Sequence, residues 1–164
     1  MKPALLVIDV QKQFFRTPEA TRSLNDAIDF INRAIGLFRQ KQLPIICIQN
    51  VNEAEGLVPS APGFALPDHL QIAASDPHLQ KTYSNSFNKT PLETILREQG
   101  VDTVIVTGYC AEYCVMSTYR GALDRDLTPI ILRGAIASGN PNNIPFVENV
   151  NDIISFNALR KLLP

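Results

Sequence analysis

What most restricts the fold of this chain is a repeated alternation of strand-length apolar runs with helix-spaced stretches. "ALLVI" (Ala4 to Ile8) is continuously apolar, and Leu24, Ile28, Ile31, Ile35 and Phe38 then recur at helical spacing. "PIICIQ" (Pro44 to Gln49) and "DTVIVT" are further unbroken apolar runs, followed later by "TPIIL" and "NDIIS". Between them, "TPLETILREQG" reads as a capped helix. Thr90 stands at the N-cap, Pro91 at the first helical position, Glu93 three residues after the cap and Gly100 just past the end. "EYCVMSTYRGALDRD" and "NALRKLL" are the remaining helical patterns. Strands that are apolar on both faces must be covered on both faces, so the pattern predicts an α/β fold with helices on either side of a mainly parallel sheet. One segment, residues 50–86, is long for a connection and punctuated by Gly56, Pro59, Pro62, Gly63, Pro67 and Pro77. Loops of that length are functional or hide short elements, and a short strand is expected near "HLQKT".

A length of 164 residues suits one compact domain spanning 1–164. Fifteen basic against sixteen acidic side chains, with no long run of either sign, leave neither a nucleic-acid footprint nor a polybasic membrane patch. No apolar stretch approaches the roughly 18 residues of a membrane helix. "MKPALLVIDV" is interrupted by Asp9 and lacks a small-residue cleavage site, so it does not read as a secretory signal. The odd count of three cysteines is sparse for a disulfide framework and points to the reducing cytoplasm. These features leave a small molecule or another protein as the partner.

In an open parallel sheet, ligands bind outside the carboxyl ends of the strands. Three chemically capable side chains fall there. Asp9 ends the first strand in "VIDVQKQFF", Lys81 lies in "LQKTYSNSF", and Cys114 follows the central strand near the start of a helix in "GYCAEYCV". Each has a plain structural reading when taken alone: Asp9 as a loop cap, Lys81 as a solvated cation, Cys114 as a small buried hydrophobe. Together they read differently. A thiol at a helix N-terminus beside a cation is expected to have its thiolate favoured, with a carboxylate in reach to accept its proton.

Other chemistries lack their patterns. Cys110 and Cys114 are spaced C-x3-C, not C-x-x-C, and Cys47 lies on a separate strand. The only histidines, His69 and His78, make no H-E-x-x-H, so no metal site is expected. "GYCAEY" matches no nucleotide-binding glycine fingerprint, and no G-x-S-x-G elbow is present, so no cofactor is expected.

Taken together, "LLVIDVQKQFF", "QKTYSNSF" and "VDTVIVTGYCAEYCVMSTYRGAL" resemble the isochorismatase-like cysteine hydrolases, a superfamily that includes nicotinamidases, N-carbamoylsarcosine amidases and isochorismatases. The resemblance runs from Ala4 to about Leu132. It implies a three-layer α/β/α fold with a six-stranded parallel sheet and a catalytic Asp9, Lys81 and Cys114. It further implies an oxyanion hole from the backbone amides of Cys110 and Cys114, a cis peptide between Tyr109 and Cys110, and a homo-oligomer, dimer or tetramer. Phe14 is the implied pocket wall, and Tyr113 and Phe87 are further candidates to border the substrate.

Departures from the family shape the expected substrate. Nicotinamidases resemble one another in a metal site built from an Asp and two His after the second strand, whereas "QNVNEAEGLVPSAPG" contains neither. Isochorismatases that cleave a vinyl ether need no cysteine, so retention of Cys114 favours an amide or ureido carbonyl. The acidic residue common after the fifth strand corresponds to Gly134, and a turn glycine is replaced near Asp126. The expected activity is metal-independent hydrolysis of a small amide or ureido C–N bond through a thioester. The alternatives are a relative acting on a non-amide substrate, a small-molecule binding protein, and a flavodoxin-type binding domain with a structural Cys114.

Overall fold

The computed structural model describes residues 1–163. Six strands form one parallel sheet: β1 (Pro3–Ile8), β2 (Ile45–Asn50), β3 (His78–Lys81), β4 (Thr103–Tyr109), β5 (Thr128–Ala137) and β6 (Ile153–Ile154). Their spatial order is β3-β2-β1-β4-β5-β6, so the winding reverses between β1 and β4. A crevice opens at the carboxyl edge of such a switch point.

Helices cover both faces, as the doubly apolar strands require. Ala4, Leu6 and Ile8 of β1 face a core closed by α2 (Leu92–Glu98), α3 (Met116–Leu123) and α4 (Ile144–Asn149). Leu5 and Val7 point the other way, into a core closed by α1 (Pro18–Gln40) and α5 (Phe156–Leu162). The apolar stripe of α1 runs through Leu24, Ile28, Ile31, Ile35 and Phe38, all buried. Its start lies a full turn before Leu24, where Thr17 accepts a hydrogen bond from the Ala20 N–H at 3.1 Å and Pro18 takes the first turn.

The predicted strand near "HLQKT" is β3, with alternating burial that leaves Leu79 and Lys81 inside. Two expectations need correction. The helix starts at Leu92, so Pro91 and not Thr90 holds the N-cap position. Thr90 Oγ1 still accepts from the Leu92 N–H at 3.3 Å, but Glu93 turns outward to Arg97 and Arg125, so no reciprocal capping box closes. β5 does not stop at Leu132. It continues to Ala137 through a bulge in which Ile131 pairs with Val106 and Ile136 with Gly108, and Gly134 sits inside the strand at φ +82°. Asp126 takes φ +59° in the turn before β5, a conformation that a short polar side chain tolerates where glycine would be the default.

At the switch point, Ile8 of β1 pairs with Gly108 of β4. Gly108 has φ +115°, and a Cβ there would collide with the Ile8 carbonyl oxygen and lie 2.6 Å from the Ile8 nitrogen. Both obstacles are backbone and cannot swing aside. Gly108→Ala is therefore expected to cost at least about 3 kcal/mol in urea unfolding, because either the sheet parts at its centre or φ is forced. A loss below about 1 kcal/mol would contradict this close approach.

Candidate active site

Three strands deliver one cluster to the crevice. Asp9 follows the last residue of β1 at φ +52°, with its N–H donating to the Ile48 carbonyl at 2.8 Å. Lys81 ends β3, and Cys114 lies in the π-helical turn Ala111–Val115 that links β4 to α3. Lys81 Nζ stands 2.7 Å from Asp9 Oδ2 and 3.3 Å from Cys114 Sγ. The two charged side chains are sealed from solvent, at 0% and 1% exposure. The ion pair is close, and the Cys114 thiol is a second neighbour of the same carboxyl.

Gln11 explains the polar residue two positions after Asp9. Fully buried, it accepts from the Asn50 N–H at 2.8 Å and donates to the Asn50 and Phe64 carbonyls at 3.1 and 3.3 Å. It thus splices the ends of β1 and β2 to the following loop, satisfying backbone groups that would otherwise be buried unpaired.

Above the cluster opens a cavity of about 380 Å³. Asp9 and Cys114 contribute to its floor, and Phe14, Tyr109, Tyr113, Glu112 and Asn50 are among its walls. Phe14 stacks on Tyr109 with ring centroids 4.6 Å apart. Tyr113 borders the cavity with 64% of its surface exposed. Phe87 does not reach it. That ring is buried in the core with the Arg125 guanidinium above it, because the turn after β3 folds toward α3 and away from the crevice. The Tyr109–Cys110 peptide is cis, and Cys110 precedes the π-helical turn.

The thiol's electrostatics run opposite to the reading from the sequence. Burial, followed by the neighbouring Asp9 charge, pushes Cys114 up to about 12, and Lys81 offsets this only in part. Burial also raises the Asp9 carboxyl, against the pull of Lys81. Removal from water dominates both, and sequence patterning carries no measure of it. The resting arrangement places the Cys114 thiol beside the Asp9 carboxyl. The other two cysteines are also free and buried, with Cys47 pushed up to about 12 and Cys110 to about 11, burial being the main cause.

The histidines are engaged elsewhere. His69 Nε2 lies 3.0 Å from Asn25 Oδ1, and His78 contacts Gln49 and the Ala73 carbonyl. Asn50, Asn52 and Glu55 line the crevice after β2, so the Asp and two His expected of a metal-dependent relative are not there. Among the described residues, no three His, Cys, Asp or Glu side chains are placed to share a metal ion. No described helix is long and apolar enough to cross a membrane.

Fold and crevice define a class: a doubly wound parallel sheet with a buried carboxylate and ammonium and a partly buried thiol together at its switch point. Residues 3–146 match the isochorismatase domain, and the chain belongs to the isochorismatase family. It is 31% identical over 121 residues to the uncharacterized isochorismatase family protein YrdC of Bacillus subtilis, covering 73% of this chain and 65% of that protein. It is 28% identical to streptothricin hydrolase of Streptomyces noursei, covering 92% of this chain and 54% of the hydrolase. The chain therefore spans less than two thirds of either relative. The solved N-carbamoylsarcosine amidase of Thermoplasma acidophilum superposes with a TM-score of 0.81 at 28% identity, covering 94% of this chain and 96% of that one.

Two features escaped the sequence reading. Glu112, two residues before Cys114, lines the cavity, and so does Tyr109, the partner of Phe14. Both follow from position, since Tyr109 ends a central strand and Glu112 opens the turn after it.

Proposed function

We propose that this protein is a cysteine hydrolase that cleaves a small amide or ureido C–N bond, with Cys114 as nucleophile, Asp9 as proton carrier and Lys81 as the cation that holds Asp9. The observation that carries this reading is the single buried contact of Lys81 Nζ with Asp9 Oδ2 at 2.7 Å and with Cys114 Sγ at 3.3 Å, at the floor of an open cavity.

The raised thiol fits a general-base start. As the substrate carbonyl carbon meets Sγ, the thiol proton passes to Asp9 and the S–C bond forms. The resulting oxyanion is received by the backbone N–H groups of Cys110 and Cys114, donors held in place before reaction begins. The C–N bond breaks as Asp9 returns the proton to the leaving nitrogen, leaving a thioester on Cys114. Water then attacks that thioester while Asp9 takes its proton, and the acid departs as the thiol is restored. The substrate is a small molecule that fits about 380 Å³, walled by Phe14 and Tyr109. Three unpaired thiols suit a reducing compartment.

The reading is tested by ammonia or amine release from a panel of primary amides and ureido compounds, with Asp9→Asn as the paired variant. Turnover by Asp9→Asn is expected to fall at least about 100-fold for want of the base. Its thiol is expected to titrate at lower pH than the parent's, because the anion that raises it is gone while Lys81 remains. Thiolate absorbance against pH reads this shift. The acid limb of the parent's kcat/KM should fall above the ordinary carboxylate range, since Asp9 must be ionised to act and its carboxyl is raised. An Asp9→Asn thiol that titrates higher than the parent's, or turnover that stays within threefold, would remove Asp9 from this role.

A further inference from the structure

The cavity carries a carboxylate that the chemistry above does not use. Glu112 Oε1 accepts from Ser138 Oγ at 2.9 Å and from Asn143 Nδ2 at 2.8 Å, which fixes the carboxylate. Its second oxygen, Oε2, is buried away from solvent and makes no well-aligned hydrogen bond, with the residue's own N–H and the Cys110 thiol as the nearby donors to the carboxylate. Burial opposes the charge, but Asn143, the residue's own N–H, Cys110 and Ser138 outweigh it and keep the acid ionised below its ordinary range. The other charged side chains on the wall are Asp9 and Glu55, and no Lys or Arg among the described residues lines the cavity. Lys81 beneath the floor is committed to Asp9. Arg16 lies near Tyr109 but is paired with Glu55 at 3.4 Å and donates to the Gln13 carbonyl at 3.0 Å.

We infer that Glu112 is a specificity-determining residue whose carboxylate, on a cavity wall that carries Asp9 and Glu55 and no Lys or Arg among the described residues, attracts a cationic group of the substrate, so that the enzyme selects cationic or neutral amides and rejects those bearing a carboxylate. This inference deepens the amidase reading and rests on it for the identity of the ligand. The physical reason is that a carboxylate fixed by Ser138 and Asn143 beside a cavity without a cation gives that wall a negative field, which favours a substrate ammonium. A substrate carboxylate would instead be desolvated beside Glu112 and Glu55 with no cation to meet it.

Two measurements on the parent and on Glu112→Gln test this. The glutamine keeps an oxygen to accept from Ser138 and Asn143, so the fold should hold, and equal melting temperatures check that it does. The first measurement is independent of turnover. Cys114 is labelled with cationic 2-aminoethyl methanethiosulfonate and anionic 2-sulfonatoethyl methanethiosulfonate, with each rate divided by that of a free small thiol. The parent is expected to favour the cationic reagent at least about tenfold, and Glu112→Gln to lose most of that preference. The second compares kcat/KM for 4-aminobutanamide, butanamide and succinamate, amides of matched length ending in ammonium, methyl and carboxylate. The parent should follow that order, and Glu112→Gln should compress the spread about tenfold or more. Charge-selective labelling without hydrolysis of any amide would uphold the inference about Glu112 and sink the amidase reading. A labelling ratio unchanged by Glu112→Gln, or a parent that prefers succinamate, would overturn the inference while leaving Cys114 as nucleophile.

Discussion

Cys114→Ala is expected to lower hydrolysis at least about 10³-fold, to the limit of detection in an ordinary assay, because no other group at the cavity floor can form the acyl intermediate. The side chain is only partly buried, and removing one sulfur there should cost no more than about 1 kcal/mol in urea unfolding. The contrast with Cys110→Ala sharpens the result. Cys110 is buried with its thiol 3.7 Å from Ser138 Oγ, and its proposed part is played by the backbone N–H, which alanine retains. Hydrolysis by Cys110→Ala should stay within a few-fold of the parent. If both substitutions abolished turnover equally while melting at the parent temperature, the division of labour between the two cysteines would be wrong.

Lys81→Met carries the second large effect, and it falls on stability as well as on activity. Lys81 and Asp9 are sealed from solvent, and removing one member of a buried pair strands the other. The expected loss is about 3–5 kcal/mol near neutral pH. The sign with pH follows from Asp9. Its carboxyl is already raised by burial, and without Lys81 to lower it the rise becomes larger. The folded state of the variant therefore holds a proton that the unfolded chain releases at about 3.9. The variant's stability should fall as pH rises from that value toward its folded pKa and then level off, and it should part from the parent's once pH passes the parent's own, less raised, Asp9 pKa. Adding Asp9→Leu removes the stranded charge, so Lys81→Met/Asp9→Leu should be more stable than Lys81→Met alone while remaining inactive. Urea unfolding of the three proteins between pH 5 and 8 reads the whole pattern. Equal stability of parent and Lys81→Met at pH 7 would mean that the pair is not sealed.

The layered sheet was readable from the chain because burial on both faces leaves unbroken apolar runs at Ala4 to Ile8 and in "DTVIVT", and α1 leaves its stripe from Leu24 to Phe38. That Asp9, Lys81 and Cys114 come together was readable because topology places strand ends on one edge. What the pattern could not carry was depth. The extension of β5 past Leu132 depends on a bulge around Gly134, and a single glycine in a strand does not say how far pairing resumes. Phe87 looked like a pocket aromatic, but the turn after Lys81 folds it into the core, a three-dimensional outcome with no signature in spacing. The thiol was expected low because a helix start and a cation are visible in the sequence, whereas the desolvation that pushes it up exists only once the chain has closed around it. Glu112 was missed because a lone acid before a cysteine has no pattern, and its place on the cavity wall appears only once the chain has folded.

The most direct test of Cys114 as nucleophile is peptide mass spectrometry of the parent quenched in acid during amide turnover. The predicted result is an added acyl mass on the peptide containing Cys114, absent from those containing Cys47 and Cys110 when digested apart, and released by hydroxylamine as expected of a thioester. Sustained hydrolysis by a protein whose Cys114 has been fully blocked with iodoacetamide, with no acyl mass on that peptide, would contradict it.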